Sequence, residues 1–160
     1  MKELLKFFKS FYYAGRGVIS TVLNERNMRV HLVFMIYMFS ILSLTDWFVL
    51  STADWTALIL SCALVTGAEL INTALEHTVD LASGGERSEH AQKAKDAAAG
   101  AVLVCAAGAV AVGIKVMFQK PAFAAMGEYF KTHHPQLAVF IISIIAAVLF
   151  VFFGGKRKKN

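Results

Sequence analysis

The sequence predicts an all-α integral membrane protein, and two observations support this fold class. Apolar residues make up 57% of the 160 residues and charged residues only 17%, with a mean hydropathy of +0.57. Soluble domains are less apolar and more charged than this. In addition, four apolar runs approach the roughly 20 residues that a helix needs to cross the hydrocarbon core. These runs lie at about 30–50, 55–79, 97–118 and 136–153.

The segment before the first apolar run predicts an amphipathic helix on the membrane surface. Lysines and arginines alternate there with aromatic and aliphatic residues, which is typical of a helix lying in the interface. The expected organisation is a surface helix at 1–29, a three-span core at 30–118, an external loop at 119–135, and an additional C-terminal transmembrane helix with a basic tail at 136–160.

The distribution of basic residues predicts the orientation of the chain. The N-terminal segment, the 83–96 loop with Arg87 and the tail "KRKK" at 156–159 are all basic. By the positive-inside rule, these three segments face the cytoplasm. The third connection then faces outward, although it also carries Lys120 and Lys131.

Four polar residues interrupt the second apolar run at helical spacing. Glu69, Asn72, Glu76 and Asp80 fall within about 80° on one helix face and form a stripe about 16 Å long. A charged side chain near the bilayer centre costs about 2.5–3.5 kcal/mol on insertion scales, so such residues usually mark function. Carboxylates at this spacing could provide a general base and ligands for a hard divalent cation. For Asp80, the alternative is a simple pair with a basic residue at the cytoplasmic end.

The third apolar run begins with charges that would suit a phosphate. Lys95 can neutralise phosphate, and Asp96 in a first helical turn is favoured by the helix dipole. A solvated loop could look similar, but a lysine, several carboxylates and a basic surface helix at one membrane face together favour phosphoryl transfer to a lipid hydroxyl.

A small ion or proton transporter is the competing hypothesis, because intramembrane carboxylates also mark such pathways. A third hypothesis is a non-catalytic membrane assembly subunit, but this hypothesis does not explain the polar stripe.

Three blocks of sequence carry a resemblance to a known family. They are "NERNMR" at 24–29, "AELINTALEHTVD" at 68–80 and "AKDAAAGAV" at 94–102. In this order and spacing they resemble the bacterial diacylglycerol kinase and undecaprenol kinase family, over roughly residues 1–118. The "AKD" block and Glu25 argue against the transporter.

The resemblance implies an ATP-dependent lipid kinase in the bacterial inner membrane, with its active site at the cytoplasmic face. It implies a homotrimer in which subunits share active sites, a lipid alcohol and ATP as substrates, and no nucleic-acid partner. Glu69 corresponds to the catalytic base, and Glu25 and Glu76 correspond to the ligands of the Mg²⁺ that accompanies ATP. The positions that match nucleotide contacts are Tyr13, Glu86, Lys95 and Asp96. Asn72, Asp80 and Lys6 have supporting roles.

The sequence departs from the family pattern in three places. The loop "ASGGERSEH" at 82–90 is one residue longer than expected, and Ser88 stands where a histidine is common, with His90 displaced. Lys6 stands where some members have an arginine, so the charge is kept but bidentate phosphate geometry is lost. The fourth span is an addition, interpreted as a plain anchor.

"ERNMRVHL" and "HTVDL" look more like the undecaprenol kinases, so undecaprenol is favoured over diacylglycerol as the acceptor.

Overall fold

The structure is a computed structural model that describes residues 1–84, 86 and 88–155. Across these residues the chain forms six α-helices and no strand, so the predicted all-α class is confirmed. The helices are α1 (Lys2–Asn24), α2 (Arg26–Leu44), α3 (Thr52–Ala82), α4 (Glu89–Met117), α5 (Lys120–Thr132) and α6 (His134–Phe153). Arg87 and the 156–159 tail, which were used to predict the orientation, lie outside the described residues.

Four of these helices, α2, α3, α4 and α6, are long and apolar enough to cross a membrane, as the sequence predicted. The helices α3 and α4 have 31 and 29 residues, so at 1.5 Å per residue each is about 45 Å long and exceeds the roughly 30 Å hydrocarbon core. Their polar ends, which include Asp80 and Lys95, therefore extend beyond the apolar part of the bundle.

Helix α1 ends at Asn24, and Glu25, a single extended residue with φ −105° and ψ 121°, separates it from α2. No glycine or proline lies near this break. The Asn24 side chain instead donates to the Ser20 carbonyl at 2.8 Å, and such local bonds compete with helix continuation. Almost all of α1 is exposed, with Thr21 as its one buried residue. Its location on a membrane surface stays a prediction.

Helices α3 and α4 form the most extensive helix pair, and they run antiparallel through a short connection. Each begins with a serine cap. The Ser51 hydroxyl accepts from the Asp54 N–H in a reciprocal capping box, and the Ser88 hydroxyl accepts from the Ala91 N–H at 3.1 Å. Such caps stabilise a helix start by about 1 kcal/mol. Ser88 thus has a structural role in the loop where the sequence departs from the family pattern.

The end of the bundle at the α2–α3 turn holds the apolar core. Its buried residues are Leu42, Phe48, Leu58, Val116 and Ala122. The connection expected as an external loop at 119–135 is mostly the helix α5, which packs against this core. Gln119 fixes the junction, because its side-chain amide accepts from the Val49 N–H at 3.2 Å and donates to the Val49 carbonyl at 3.0 Å.

The fourth span, α6, packs on α2 of its own chain. The Tyr37 hydroxyl donates to Ser143 Oγ at 2.8 Å in the middle of this contact, and Arg29 Nε donates to the Val151 carbonyl at 3.0 Å near its end. The C-terminal end of α6 therefore lies beside the α1–α2 junction. These polar contacts differ from the plain lipid-facing anchor expected from its sequence.

Ala122→Leu should destabilise the protein, because Ala122 is fully buried at 0% exposure and overpacking a filled site costs about 1–3 kcal/mol. Ala125→Leu is the matched control, since Ala125 is exposed on the same helix. The thermal unfolding midpoints of the two variants in detergent measure the difference. Equal midpoints would contradict the docking of α5 on the core.

Candidate active site

Glu69 is the innermost residue of the polar stripe and lies inside α3. Its side chain is only 2% exposed. From the 1.5 Å rise per residue, it is about 26 Å from the start of α3 and about 20 Å from its end. One carboxyl oxygen, Oε2, is buried and has no hydrogen-bond partner among the described residues. A buried oxygen of this kind is costly unless a ligand or water completes it.

Asn72 and Glu76 continue the stripe towards the end of α3. The Asn72 amide donates to Glu76 Oε1 at 2.9 Å, which fixes the Glu76 carboxyl on the same face. Asn72 is buried, Glu76 is half-buried and Asp80 is exposed. The stripe therefore leads from the bundle interior out to solvent, as the helical spacing predicted.

The α1–α2 junction brings two more polar groups to Glu69. Glu25 is half-buried, and both Glu25 and Glu76 lie close enough for their charges to act on the Glu69 carboxyl. The Asn27 side chain lies near the same carboxyl. Sequence reasoning missed Asn27, although it lies only two residues after Glu25 in the same block. Two carboxyls, one of them from a separate segment, thus lie near enough to Glu69 to act on it through their charge.

Lys95 and Asp96 lie further along the bundle, at the start of α4. Lys95 Nζ forms an ion pair with Asp80 Oδ1 at 2.5 Å, with side-chain exposures of 30% and 58%. Asp80 therefore does pair with a basic residue at this end, while its supporting role in the site stays a prediction. Asp96 accepts from the Gln92 side chain at 2.7 Å. Because Asp80 is 11 residues after Glu69, the pair is about 16 Å from Glu69 along α3.

Lys6, Tyr13 and Glu86 are not brought to Glu69 within this chain. Lys6 pairs with Glu3 at 2.7 Å on the exposed surface of α1. Tyr13 lines a groove along α1 and is about 18 Å along the helix from Glu25. Glu86 is exposed in the α3–α4 connection.

The arrangement of these carboxyls can be compared with what a Mg²⁺ site requires. Within residues 1–84, 86 and 88–155, no group of three or more His, Cys, Asp or Glu side chains is arranged to bind a metal ion on its own. Mg²⁺ usually keeps several waters and uses one or two carboxylates together with substrate phosphates. Glu25 and Glu76 suit that mode, because both are half-buried and lie close to Glu69.

The fold and the site together define a helical membrane protein with a buried carboxyl and a group of ionic side chains at one end of its bundle. The sequence profile of the family described as "Prokaryotic diacylglycerol kinase" matches residues 12–117. The chain therefore belongs to the prokaryotic diacylglycerol kinase family and is a multi-pass membrane lipid kinase. The resemblance is confirmed, and no finding supports the transporter hypothesis.

Individual relatives carry two different names. The chain is 39% identical to the undecaprenol kinase of Bacillus subtilis (strain 168) over 118 residues. This aligned region covers 74% of this chain and 93% of the relative. It is 42% identical over 104 residues to the diacylglycerol kinase of Synechocystis sp. (strain ATCC 27184 / PCC 6803 / Kazusa), which covers 65% of this chain and 58% of the relative. The diacylglycerol kinase of Helicobacter pylori (strain ATCC 700392 / 26695) is 32% identical over 103 residues, 64% of this chain and 77% of the relative. No solved structure matches the chain significantly.

Glu69→Gln should reduce turnover by about 10²- to 10⁴-fold, the usual effect of losing a general base. The amide keeps the shape of the side chain, so the fold and ATP binding should change little. Glu89→Gln is the control, because Glu89 is an exposed carboxyl paired with Lys93. Phosphoryl transfer from labelled ATP to lipid measures both variants. Turnover of Glu69→Gln within a few-fold of the unsubstituted protein, for every acceptor tried, would contradict the assignment.

Proposed function

We propose that the protein transfers the γ-phosphoryl group of ATP to the hydroxyl of undecaprenol, at the cytoplasmic face of the bacterial inner membrane. The observation that carries this proposal is the buried Glu69 carboxyl, whose Oε2 has no partner in the described chain. It lies within a membrane-crossing helix and close to two further carboxyls. This is where a lipid hydroxyl from the bilayer could meet a nucleotide from the aqueous side.

Glu69 acts as the general base in this proposal. The lipid hydroxyl oxygen bonds to the γ-phosphorus while the bond from that phosphorus to the bridging oxygen of ADP breaks, and the hydroxyl proton passes to Glu69. Burial excludes water, which would otherwise compete as the acceptor. The fixed helix position of Glu69 orients the base before the substrate arrives.

Glu25 and Glu76 would hold the Mg²⁺ that accompanies ATP. When bound, the cation neutralises charge on the transferring phosphoryl group. Asn72 orients Glu76 through its 2.9 Å hydrogen bond. Glu25 reaches the site from the α1–α2 junction, so the angle between these helices determines the distance between the two carboxylates.

The nucleotide would extend from this site towards Lys95 and Asp96. Asp80 holds Lys95 through their ion pair, which places a cation for the phosphates at the polar end of the bundle. The remaining predicted site residues are the nucleotide contacts Tyr13 and Glu86 and the supporting residue Lys6. Because Tyr13 is about 18 Å along α1 from Glu25, we propose that these residues serve the site of a neighbouring subunit. The functional unit is then a homotrimer with shared active sites.

Diacylglycerol is the second candidate acceptor. The 42% identity to a relative named diacylglycerol kinase favours it, whereas the relative named undecaprenol kinase matches over 93% of its own length. Sequence blocks of the chain also favour undecaprenol, as argued above. We therefore keep undecaprenol as the preferred acceptor.

The acceptor can be identified with the purified full-length protein, labelled ATP, Mg²⁺ and a panel of lipid alcohols. We expect kcat/KM for undecaprenol to exceed that for diacylglycerol, and no transfer without Mg²⁺. Glu69→Gln is the blank for contaminating kinases. A higher kcat/KM for diacylglycerol would overturn the acceptor but keep the reaction class, and no transfer to any lipid alcohol would overturn the proposed function.

Glu25→Ala and Glu76→Ala should each raise the Mg²⁺ concentration needed for half-maximal activity, because each removes one oxygen ligand for the cation. Glu128→Ala is the control, since Glu128 is an exposed carboxylate on α5 paired with Lys131. Titration of Mg²⁺ at fixed ATP measures the change. Unchanged Mg²⁺ titrations in both variants would contradict the role of these carboxylates.

A further inference from the structure

Arg29 is a buried cation that joins three helices. Its side chain is only 4% exposed. Nη1 donates to the carbonyls of Val22 at 3.0 Å and Leu23 at 3.3 Å, in the last turn of α1. Nε donates to the carbonyl of Val151, in the last turn of α6, at 3.0 Å. Arg29 itself belongs to the first turn of α2, so one guanidinium joins the ends of α1 and α6 to the start of α2.

The helix ends explain how this cation can be buried. The last carbonyls of a helix lack partners within the helix and carry partial negative charge. Arg29 satisfies such carbonyls on α1 and on α6 together. Over the described part of the chain, no carboxylate forms a salt bridge with it. Without α6, one side of the guanidinium would lose its acceptor.

The backbone that leaves α6 also passes directly over Arg29. A Cβ on Gly155 would be 2.8 Å from Nη1 and 2.9 Å from Nη2. Only a residue without a side chain fits this approach while the guanidinium keeps its position. A larger residue at Gly155 therefore disturbs the contact between Arg29 and the end of α6, because either the guanidinium or the chain that leaves α6 must move.

Glu25 lies between α1 and α2, the two helices that Arg29 connects at this junction. It is the only non-helical residue between α1 and α2. Its N–H donates to the Thr21 carbonyl at 2.7 Å, and its carbonyl accepts from the Arg29 N–H at 3.4 Å. By tying the last turn of α1 to the first turn of α2, Arg29 restricts the angle at Glu25. That angle determines where the Glu25 carboxylate lies relative to Glu69 and Glu76.

We propose that the fourth span is a positioning element of the kinase, which acts through Arg29 to hold Glu25 in place for the cation. This inference rests on the proposed function of Glu25. It assigns α6 a role that a plain anchor would not have, although the family match ends at residue 117 and leaves α6 outside. Arg29 is a positioning residue, because it touches helix ends and not the reacting groups.

Two substitutions in the full-length protein test the proposal, Arg29→Lys and Gly155→Val. Lysine keeps the charge but lacks the planar fork that reaches two helix ends, and the valine forces either the guanidinium or the end of α6 to move. Each should raise the Mg²⁺ concentration for half-maximal activity by about tenfold or more, within the 10- to 100-fold range typical of residues that orient metal ligands. The value of kcat at saturating Mg²⁺ should fall less.

Two controls separate positioning from general damage. Tyr37→Phe removes the other α2–α6 hydrogen bond, to Ser143, far from Glu25, and should leave the Mg²⁺ midpoint unchanged. Gly127→Val adds the same side chain to α5, where nothing lies within 4 Å of the added Cβ, and should also leave it unchanged. A shift in Arg29→Lys but not in Gly155→Val would overturn the role of α6. Equal shifts in all four variants, or in none, would overturn the whole proposal.

Hydrogen exchange of the amides in residues 18–30 provides a readout that needs no activity. Arg29→Lys and Gly155→Val should both speed exchange at this junction, whereas Tyr37→Phe should not. If the protein phosphorylates no lipid alcohol, the proposed function fails, and exchange still decides whether α6 fastens the junction. Unchanged exchange in both variants would overturn the proposal independently of the kinase assay.

Discussion

The arrangement of the molecule depends on burying the Glu69 carboxyl inside a membrane-crossing helix. A charged side chain at the bilayer centre costs about 2.5–3.5 kcal/mol on insertion scales, so the surrounding chain must supply polar partners or accept a penalty. Asn27 of the first turn of α2 lies near the carboxyl, but Oε2 has no hydrogen-bond partner in the described residues. The hydrogen-bonding capacity of the Glu69 carboxyl is therefore only partly used by its own chain, which leaves an acceptor for the lipid hydroxyl that we propose.

The bundle separates this chemistry from the residues that stabilise it. The end at the α2–α3 turn is apolar, where α5 packs against Leu42, Phe48 and Leu58 and where Gln119 joins two connections. The opposite end collects Glu25, Arg29, Glu76 and the Asp80–Lys95 pair. The two groups of residues lie at opposite ends of the long α3–α4 pair. Packing changes at the apolar end should therefore affect stability more than catalysis.

Sequence reasoning predicted the features that have a local or periodic signal. The spacing of Glu69, Asn72, Glu76 and Asp80 predicted one helix face, and the apolar runs predicted four spans that the structure contains. The helix α5 was missed because its charges and Gly127 interrupt any apolar run. The break at Glu25 has no glycine or proline to mark it. The role of Arg29 had no local signal, since its partner Val151 is 122 residues away.

The central claim is that a lipid hydroxyl meets Glu69 inside the bundle. A prenyl alcohol with a photoreactive diazirine beside its hydroxyl tests this directly, with the crosslinked residues identified by mass spectrometry in the presence of a non-hydrolysable ATP analogue. The account predicts crosslinks on α3 within one turn of Glu69, at residues 65–73, and their loss when unlabelled undecaprenol competes. Crosslinks confined to the exposed face of α6 or to α5, with none near Glu69, would contradict it.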